Sequence, residues 1–343
     1  MKILYGINGE GLGHLNRSKI VIKQLTEMGH TVFVASSHGW SNFTINSIRF
    51  KYKNGKIRKM RLLWDWLSFP MRKNLKKIPK NNYDLVITDF EPVTARYARK
   101  NKINLISIDN QHRFSTIDTS LPFMLLFYNI ILSLVNKIFI GKTDDQIVTC
   151  FHPHHKNCGV VNEDHGVEHE NPLSDILMGA TLVYIKEEHI GDFVNNYNVP
   201  IDRVTYIFCD NPDKYKDSLD YTLTRKTKPG IVETHWSGLV FMEKGPDFKR
   251  LMKYCKNVIT NAGNQTIGEC IKNNIPITCI PIKGQAEQEI NGYYLEKYNY
   301  GKCTTFDNFQ VNYTRPSESF SFSDSENGID NLMKRLTIWL NNV

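Results

Sequence analysis

The sequence predicts an α/β protein of two domains, each a parallel sheet flanked by helices. Near the N-terminus a short apolar strand, Ile3 to Ile7, runs through the glycines Gly6, Gly9, Gly11 and Gly13 into a helical pattern from Leu15 to about Met28. The same grammar returns at Ile259, where a strand ends in the small residues Asn261, Ala262 and Gly263 and a helix runs to about Lys272. With 343 residues, 41% of them hydrophobic and 23% charged, the chain can bury two cores and has the composition of a soluble globular protein. The expected division is residues 1–160, residues 175–325 and a closing helix over 326–343.

The first glycine loop reads G-E-G-L-G-H, and the next strand, Val32 to Ala35, ends in Ser36 and Ser37. A dinucleotide site needs G-x-G-x-x-G with an acidic residue at the end of that strand, so this reading is weak. His14 opens the helix after the loop, where side chains project above the C-terminal edge of a parallel sheet. An imidazole there can accept a proton near neutral pH; the alternative is a structural histidine. Leu85 to Thr88 is a third strand, running into Asp89, Phe90, Glu91 and Pro92; a helix from about Thr94 to Asn101 and a strand from Leu105 to Ile108 follow. Asp89 ends its strand, so it can orient a histidine or simply cap a helix, and Glu91 and Asp109 are alternative orienting carboxylates.

Between Arg49 and Lys80, Lys and Arg occupy twelve positions against Asp65 alone, interleaved with Phe50, Tyr52, Trp64, Trp66 and Phe69. That excess exceeds the net charge of the whole chain, +8. A solvated helix face usually mixes signs, so the segment suggests a polyanionic partner or an anionic membrane surface. Leu121 to Gly141 is the most apolar stretch; Asn129, Asn136 and Lys137 within it favour a buried or amphipathic helix pair over a membrane span, with membrane-surface contact as the alternative. Gly141-Lys142-Thr143 lacks the earlier glycine of a P-loop. His152, His154, His155, His165 and His169 lie in or beside a polar, turn-rich linker that offers no frame for metal ligands, so no metal site is expected. The seven cysteines are odd in number and scattered, which points to reduced thiols and a cytoplasmic setting. No apolar segment with a cleavage site follows Met1, so no signal peptide is expected.

In the second domain, strands are expected at Leu182 to Ile185, Val204 to Cys209 and Gly230 to Glu233, after which His235 and Ser237 could reach phosphate oxygens. A helix from Pro246 to Tyr254 precedes the strand at Ile259. Gly263 lets backbone approach a ligand closely, and Asn264, Gln265 or Thr266 can cap the following helix, whose unpaired first-turn N–H groups suit a diphosphate. Glu269, one turn further on, can accept two hydrogen bonds from ribose hydroxyls. After a buried strand at Ile277 to Ile280, Gln285, Glu287 and Gln288 suit sugar hydroxyls. The pattern suits a nucleoside diphosphate bearing a sugar; the alternative is a plain βαβ unit with a polar loop, which spacing alone does not exclude.

The stretch from Ile259 to Gly301, ITNAGNQTIGECIKNNIPITCIPIKGQAEQEINGYYLEKYNYG, resembles the nucleotide-sugar signature of GT-B glycosyltransferases, particularly of the MurG-like and archaeal-type family. Gly263, Glu269, Pro276, Pro281, Gln285, Glu287, Gln288, Asn291 and Leu295 stand at the matching places; Gly292 replaces the usual Ala. GEGLGH with Arg17 and Ser18, and DLVITDFEPVTARYARKNKINLISIDNQH, are similar to the family's other signatures, so the resemblance covers about Ile3 to Phe114 and Leu182 to Gly301. It implies two facing domains with a cleft, donor on the second and acceptor on the first. It further implies Glu269 on the ribose, Glu287 and Gln288 facing the donor sugar, His14 as general base and Asp89 orienting it. Gly11, Gly13, Arg17 and Glu91 are assigned to the acceptor side with Lys56, Arg58, Lys59, Arg61, Trp64 and Trp66 from the basic insert.

The expected reaction is inverting transfer from a UDP-sugar to a hydroxyl, with no metal or other cofactor required because helix N–H groups can stabilise the leaving diphosphate. The first acceptor considered is duplex DNA with hydroxymethylated bases, as in phages, by fold-level analogy and by the charge of the insert. The alternatives are a membrane-surface enzyme building a cell-wall or teichoic-acid-like polymer, and a non-catalytic nucleic-acid-binding protein that keeps only the fold.

Overall fold

The structure, a computed structural model, describes residues 1–9, 12–37, 40–46, 52–53, 56–57, 70–161, 179–197, 204–215, 222–224, 238–245, 247–309, 311 and 328–342. The chain divides into two compact units. The first is Met1–Glu163 with Lys283–Ile290 and Phe322–Val343; the second is Asp164–Ile282 with Asn291–Ser321.

The first unit is built on a six-stranded, all-parallel sheet. Its strands are β1 (Lys2–Ile7), β2 (Thr31–Ser36), β3 (Phe43–Thr44), β6 (Leu85–Asp89), β7 (Asn104–Asp109) and β8 (Asp145–Val148), in the order β3-β2-β1-β6-β7-β8. The order reverses between β1 and β6, so a crevice is expected at the C-terminal ends of these two strands. Alternation along β1 sends Ile3, Tyr5 and Ile7 to one face and Leu4 to the other. The first face is covered by α1 (Leu12–Glu27) and by the C-terminal helix α9 (Gly328–Asn341), which contributes Ile329, Leu332 and Leu336. The second face is covered by α3 (Pro92–Asn101), with Met71 and Leu75 of the short α2 (Met71–Leu75). Gly6 is required there, since a Cβ would clash with the Thr94 side chain of α3. Within the basic insert the described backbone comprises the antiparallel pair β4 (Tyr52–Lys53) and β5 (Lys56–Ile57), then α2 and the residues following it.

The apolar stretch expected to form a helix pair is one helix, α4 (Phe123–Phe139). No Gly or Pro interrupts it between Pro122 and Gly141, and it runs unbroken for seventeen residues. Among the described residues no helix is long and apolar enough to cross a membrane.

The second unit holds a seven-stranded parallel sheet in the order β11-β12-β10-β9-β13-β14-β15. These are β9 (Thr181–Tyr184), β10 (Val204–Cys209), β11 (Thr222–Thr224), β12 (Gly238–Glu243), β13 (Asn257–Thr260), β14 (Ile277–Cys279) and β15 (Lys302–Cys303). Its order reverses between β9 and β13, and β13 feeds α7 (Asn264–Lys272) directly. The other helices are α5 (Ile190–Asn196), α6 (Asp247–Met252) and α8 (Ala286–Lys297), whose first turn belongs to the first unit. All seven cysteines are free thiols.

Candidate active site

In the first unit, parallel pairing sets Ile7 of β1 beside Asp89 of β6, so that Asn8, just after β1, meets the end of β6. On α1, His14, Arg17 and Ser18 stand at i, i+3 and i+4 and therefore share one helix face. All three reach Asp89, which is fully buried. His14 Nδ1 lies 2.5 Å from Asp89 Oδ1, Arg17 donates from Nη2 to Oδ1 at 2.6 Å and from Nε to Oδ2 at 3.0 Å, and Ser18 Oγ donates to Oδ2 at 3.0 Å. Because the carboxylate accepts at Nδ1, that nitrogen carries the proton and Nε2 is the basic one, with no hydrogen bond to a described residue. The His14 side chain retains 17% exposure. A base with an open lone pair, backed by a buried carboxylate, can take a proton from a hydroxyl.

Phe90, just after Asp89, has φ 51, a left-handed conformation uncommon for a bulky residue. Asn8 holds this turn: its N–H donates to the Asp89 carbonyl at 3.1 Å and its Nδ2 to the Phe90 carbonyl at 3.2 Å. The turn lets Glu91 start α3.

Two residues assigned to the acceptor differ in the structure. Arg17 is 3% exposed and its guanidinium is spent on Asp89, because its position one turn after His14 points it at the strand end. Glu91 is the N-cap of α3; its carboxylate accepts from the N–H of Val93 and Thr94 at 3.0 and 2.6 Å and from Thr94 Oγ1 at 2.7 Å. Burial raises its pKa to about 7 against those bonds, which favour the ionised form. Gly13 is in the first turn of α1 with open space beside it. Gly11, Arg58, Lys59, Arg61, Trp64 and Trp66 lie outside the described residues, as do His235 and Ser237 of the donor set; for Lys56 the backbone of β5 is described.

Asp109, the other alternative orienting carboxylate, is committed locally. It accepts from the backbone N–H and from Nδ1 of His112, both at 2.8 Å, and from Ser107 Oγ. Burial opposes its ionisation, but attraction to His112 and these hydrogen bonds hold its pKa at about 2. The cluster braces a single 3₁₀ turn, Gln111–Ser115. Beside that turn Asn110 Nδ2 and Gln111 Nε2 donate to the two carboxylate oxygens of Glu287 at 2.8 and 2.9 Å, with Arg113 3.9 Å away. Glu287 was expected to face a donor sugar. Both of its oxygens are instead bound within the first unit, and the sequence reading left Asn110 and Gln111 without a role.

In the second unit the N-cap of α7 is Gly263, which brings no side chain to its first-turn N–H groups, and Asn264, Gln265 and Thr266 form that turn instead of capping it. A first turn with no N-cap side chain on it, at the positive end of the helix dipole, suits a diphosphate. Asn261 holds the approach, accepting from Lys186 N–H at 2.8 Å and donating to the Ile280 carbonyl at 2.9 Å. Glu269 is 6% exposed, and its Oε1 accepts from Gln265 Nε2 and Lys249 Nζ, each at 2.8 Å. Its Oε2 has no hydrogen bond to a described residue, so one oxygen remains to accept. Lys249 comes from α6, and the sequence reading did not single it out. Gln285 and Gln288 lie in the segment Lys283–Ile290 of the first unit; Gln285 keeps a buried carboxamide oxygen with no hydrogen-bond partner among the described residues, and Gln288 is 7% exposed. At Gly292 a Cβ would meet Cys303 Sγ and Pro281 Cγ at 2.9 Å, so the alanine usual at this place would crowd this packing. Among the described residues no group of three or more His, Cys, Asp or Glu is placed to hold a metal.

The model of glycosyl transferase family 1 matches residues 1–161 and 236–315, more than half of the chain. An uncharacterized glycosyltransferase of Methanosarcina acetivorans is 24% identical over 342 residues, covering 89% of this chain and 86% of its own length. Among solved structures, the glycotransferase of kitacinnamycin is similar with a TM-score of 0.57 at 12% identity, over 90% of this chain and 87% of that one. The spinosyn rhamnosyltransferase SpnG complexed with thymidine diphosphate is similar with a TM-score of 0.54 at 12% identity, over 98% and 92%. At these identities the likeness is one of fold, and that fold is GT-B. The family match supplies the activity class: the chain belongs to glycosyl transferase family 1 and is a glycosyltransferase of GT-B type.

Proposed function

We propose that this glycosyltransferase moves a sugar, with inversion, from a nucleoside diphosphate sugar, UDP-sugar first, to a hydroxyl, with His14 as general base. The observation that carries the reading is the orientation of His14 by Asp89, which fixes Nδ1 and leaves Nε2 basic. Nε2 takes the hydroxyl proton as the oxygen bonds to the anomeric carbon, the bond from that carbon to the diphosphate breaks, and the diphosphate leaves as an anion. Asp89 stabilises the imidazolium. The uncapped first turn of α7 binds the diphosphate, Glu269 Oε2 a ribose hydroxyl, and Gln285 and Gln288 the sugar; no metal or other cofactor takes part. Free thiols at all seven cysteines accord with a cytoplasmic setting.

For the acceptor, the cations between Arg49 and Lys80 support a polyanion, with hydroxymethylated bases of phage duplex DNA first. The second reading, an enzyme working at a membrane surface on a cell-wall or teichoic-acid-like polymer, is favoured by the exposed apolar face of α4. The test pairs His14→Ala with an acceptor panel of hydroxymethylcytosine duplex, unmodified duplex and an undecaprenyl-linked acceptor. The variant should lose roughly two to four orders of magnitude in kcat while UDP affinity by calorimetry stays unchanged. More than half of wild-type turnover in the variant refutes the base, and transfer to the lipid-linked acceptor alone refutes the DNA acceptor.

A further inference from the structure

Helix α4 has its polarity reversed for a helix lying on a core. Its inward residues include Asn129, Ser133 and Asn136, all 5% exposed or less. Their amides are used: Asn129 donates to the Phe114 carbonyl at 3.1 Å and accepts from Asp118 N–H at 2.9 Å, and Asn136 donates to the Gln111 carbonyl at 2.6 Å. Its outward residues are apolar apart from Lys137. Phe123 is 81% exposed, Met124 57%, Leu134 51% and Ile138 51%, with Ile130 at 41%. At about 100° per residue, Phe123, Ile130, Leu134 and Ile138 fall within one arc of about 80°. Scattered exposed leucines need no explanation, but a continuous apolar stripe does.

We propose that this face of α4 lies in the headgroup and upper acyl region of an anionic phospholipid bilayer. From Phe123 to Ile138 the stripe is about 22 Å long, well short of the roughly 30 Å needed to cross, so the helix lies along the surface. Charge selects the occupant. No Asp or Glu occurs from Thr119 to Thr143, while Lys137 and Lys142 are exposed at the C-terminal end. Arg72, Lys73, Lys76, Lys77 and Lys80 are exposed on and just after α2, whose Met71 and Leu75 pack into the same core as Val135 and Phe139 of α4. The acidic groups nearby are Asp118 and Asp144 at the ends of the segment and Glu289 near Tyr128, so cations predominate around the apolar stripe; they complement an anionic lipid surface and would repel each other across a contact between two copies. The inner face of α4 ties the surface helix to the turn Gln111–Ser115, beside which Asn110 and Gln111 hold Glu287. The proposal deepens the membrane-surface reading of the acceptor, and its test involves no sugar transfer, so the two fail separately.

The experiment is flotation of the full chain with phosphatidylcholine vesicles and with vesicles also containing phosphatidylglycerol. Wild type should partition at least tenfold more tightly onto the anionic vesicles. Phe123→Ser with Leu134→Ser and Ile138→Ser should lower that partitioning at least tenfold with an unchanged melting temperature, since all three side chains are exposed. Lys137→Glu with Lys142→Glu should lower binding to anionic vesicles only. Absence of wild-type binding, or equal binding by the serine variant, overturns the proposal. So does a wild-type dimer in sedimentation that the serine variant splits without any change in vesicle binding, which would make the face a contact between copies.

Discussion

Arg17→Met tests whether the histidine is held by a network or by a single carboxylate. The guanidinium it removes is 4% exposed and makes two charge-assisted hydrogen bonds to the fully buried Asp89, at 3.0 and 2.6 Å. At about 1.5 to 3 kcal/mol each, their loss amounts to about 3 to 6 kcal/mol, in line with the cost of about 3 to 5 kcal/mol for stranding one member of a buried ion pair. Ser18 Oγ and His14 Nδ1 remain on the carboxylate but cannot replace the charge. Adding Asp89→Asn removes the stranded charge, so the double variant should recover at least half of the loss, a non-additivity expected of groups in contact. Because a chain of two units does not unfold in one step, the measurement is native-state hydrogen exchange at the amides of β1 and β6. Protection in Arg17→Met within about 1 kcal/mol of wild type, or strictly additive losses in the double variant, refutes the network.

Glu269→Ala should weaken UDP binding by roughly 1.5 to 3 kcal/mol without unfolding the second unit, read by calorimetry and circular dichroism; unchanged affinity removes the ribose role. For Glu91, the native pKa of about 7 lies above the ordinary glutamate value of 4.5, so the folded protein holds more protons than the unfolded chain between these values. Stability from this group is therefore present below pH 4.5 and lost as pH rises through about 7, by about 3 kcal/mol. Glu91→Gln should flatten that slope in hydrogen exchange of the first unit measured at pH 5 and 7.5, and parallel slopes would refute the assignment.

The strand–loop–helix openings were legible because period and glycine placement are local. The i, i+3, i+4 spacing of His14, Arg17 and Ser18 was equally visible, but its target was not, since only the register of Ile7 on Asp89 brings the helix face and the carboxylate together. Arg17 was read with the glycine-loop signature and put on the acceptor side; burial against a carboxylate 72 residues away leaves no local trace. Glu91 before Pro92 carried a readable cap signal that its glutamate, a rare capping residue, obscured. The partners of Glu287 lie 177 and 176 residues earlier. For α4 the sequence showed an apolar stretch carrying a few polar residues but not which way those face, since the rule that polar residues face water fails where Asn129 and Asn136 bond a neighbouring backbone.

The packing of α9 sets the order in which the molecule can be completed. Ile329, Leu332 and Leu336 fill the core face shared by β1 and α1, Arg335 pairs with Asp145 at 2.7 Å, and a Cβ at Gly328 would strike the Val160 carbonyl. The unit that begins the chain is therefore finished by its last helix. During synthesis the face of its sheet that carries Ile3, Tyr5 and Ile7 stays partly bare while the whole intervening unit is made, so the nascent first unit is the species that needs protection from aggregation. A frameshift or premature stop after residue 327 would spare every strand of both sheets and still strike the half of the protein that holds His14.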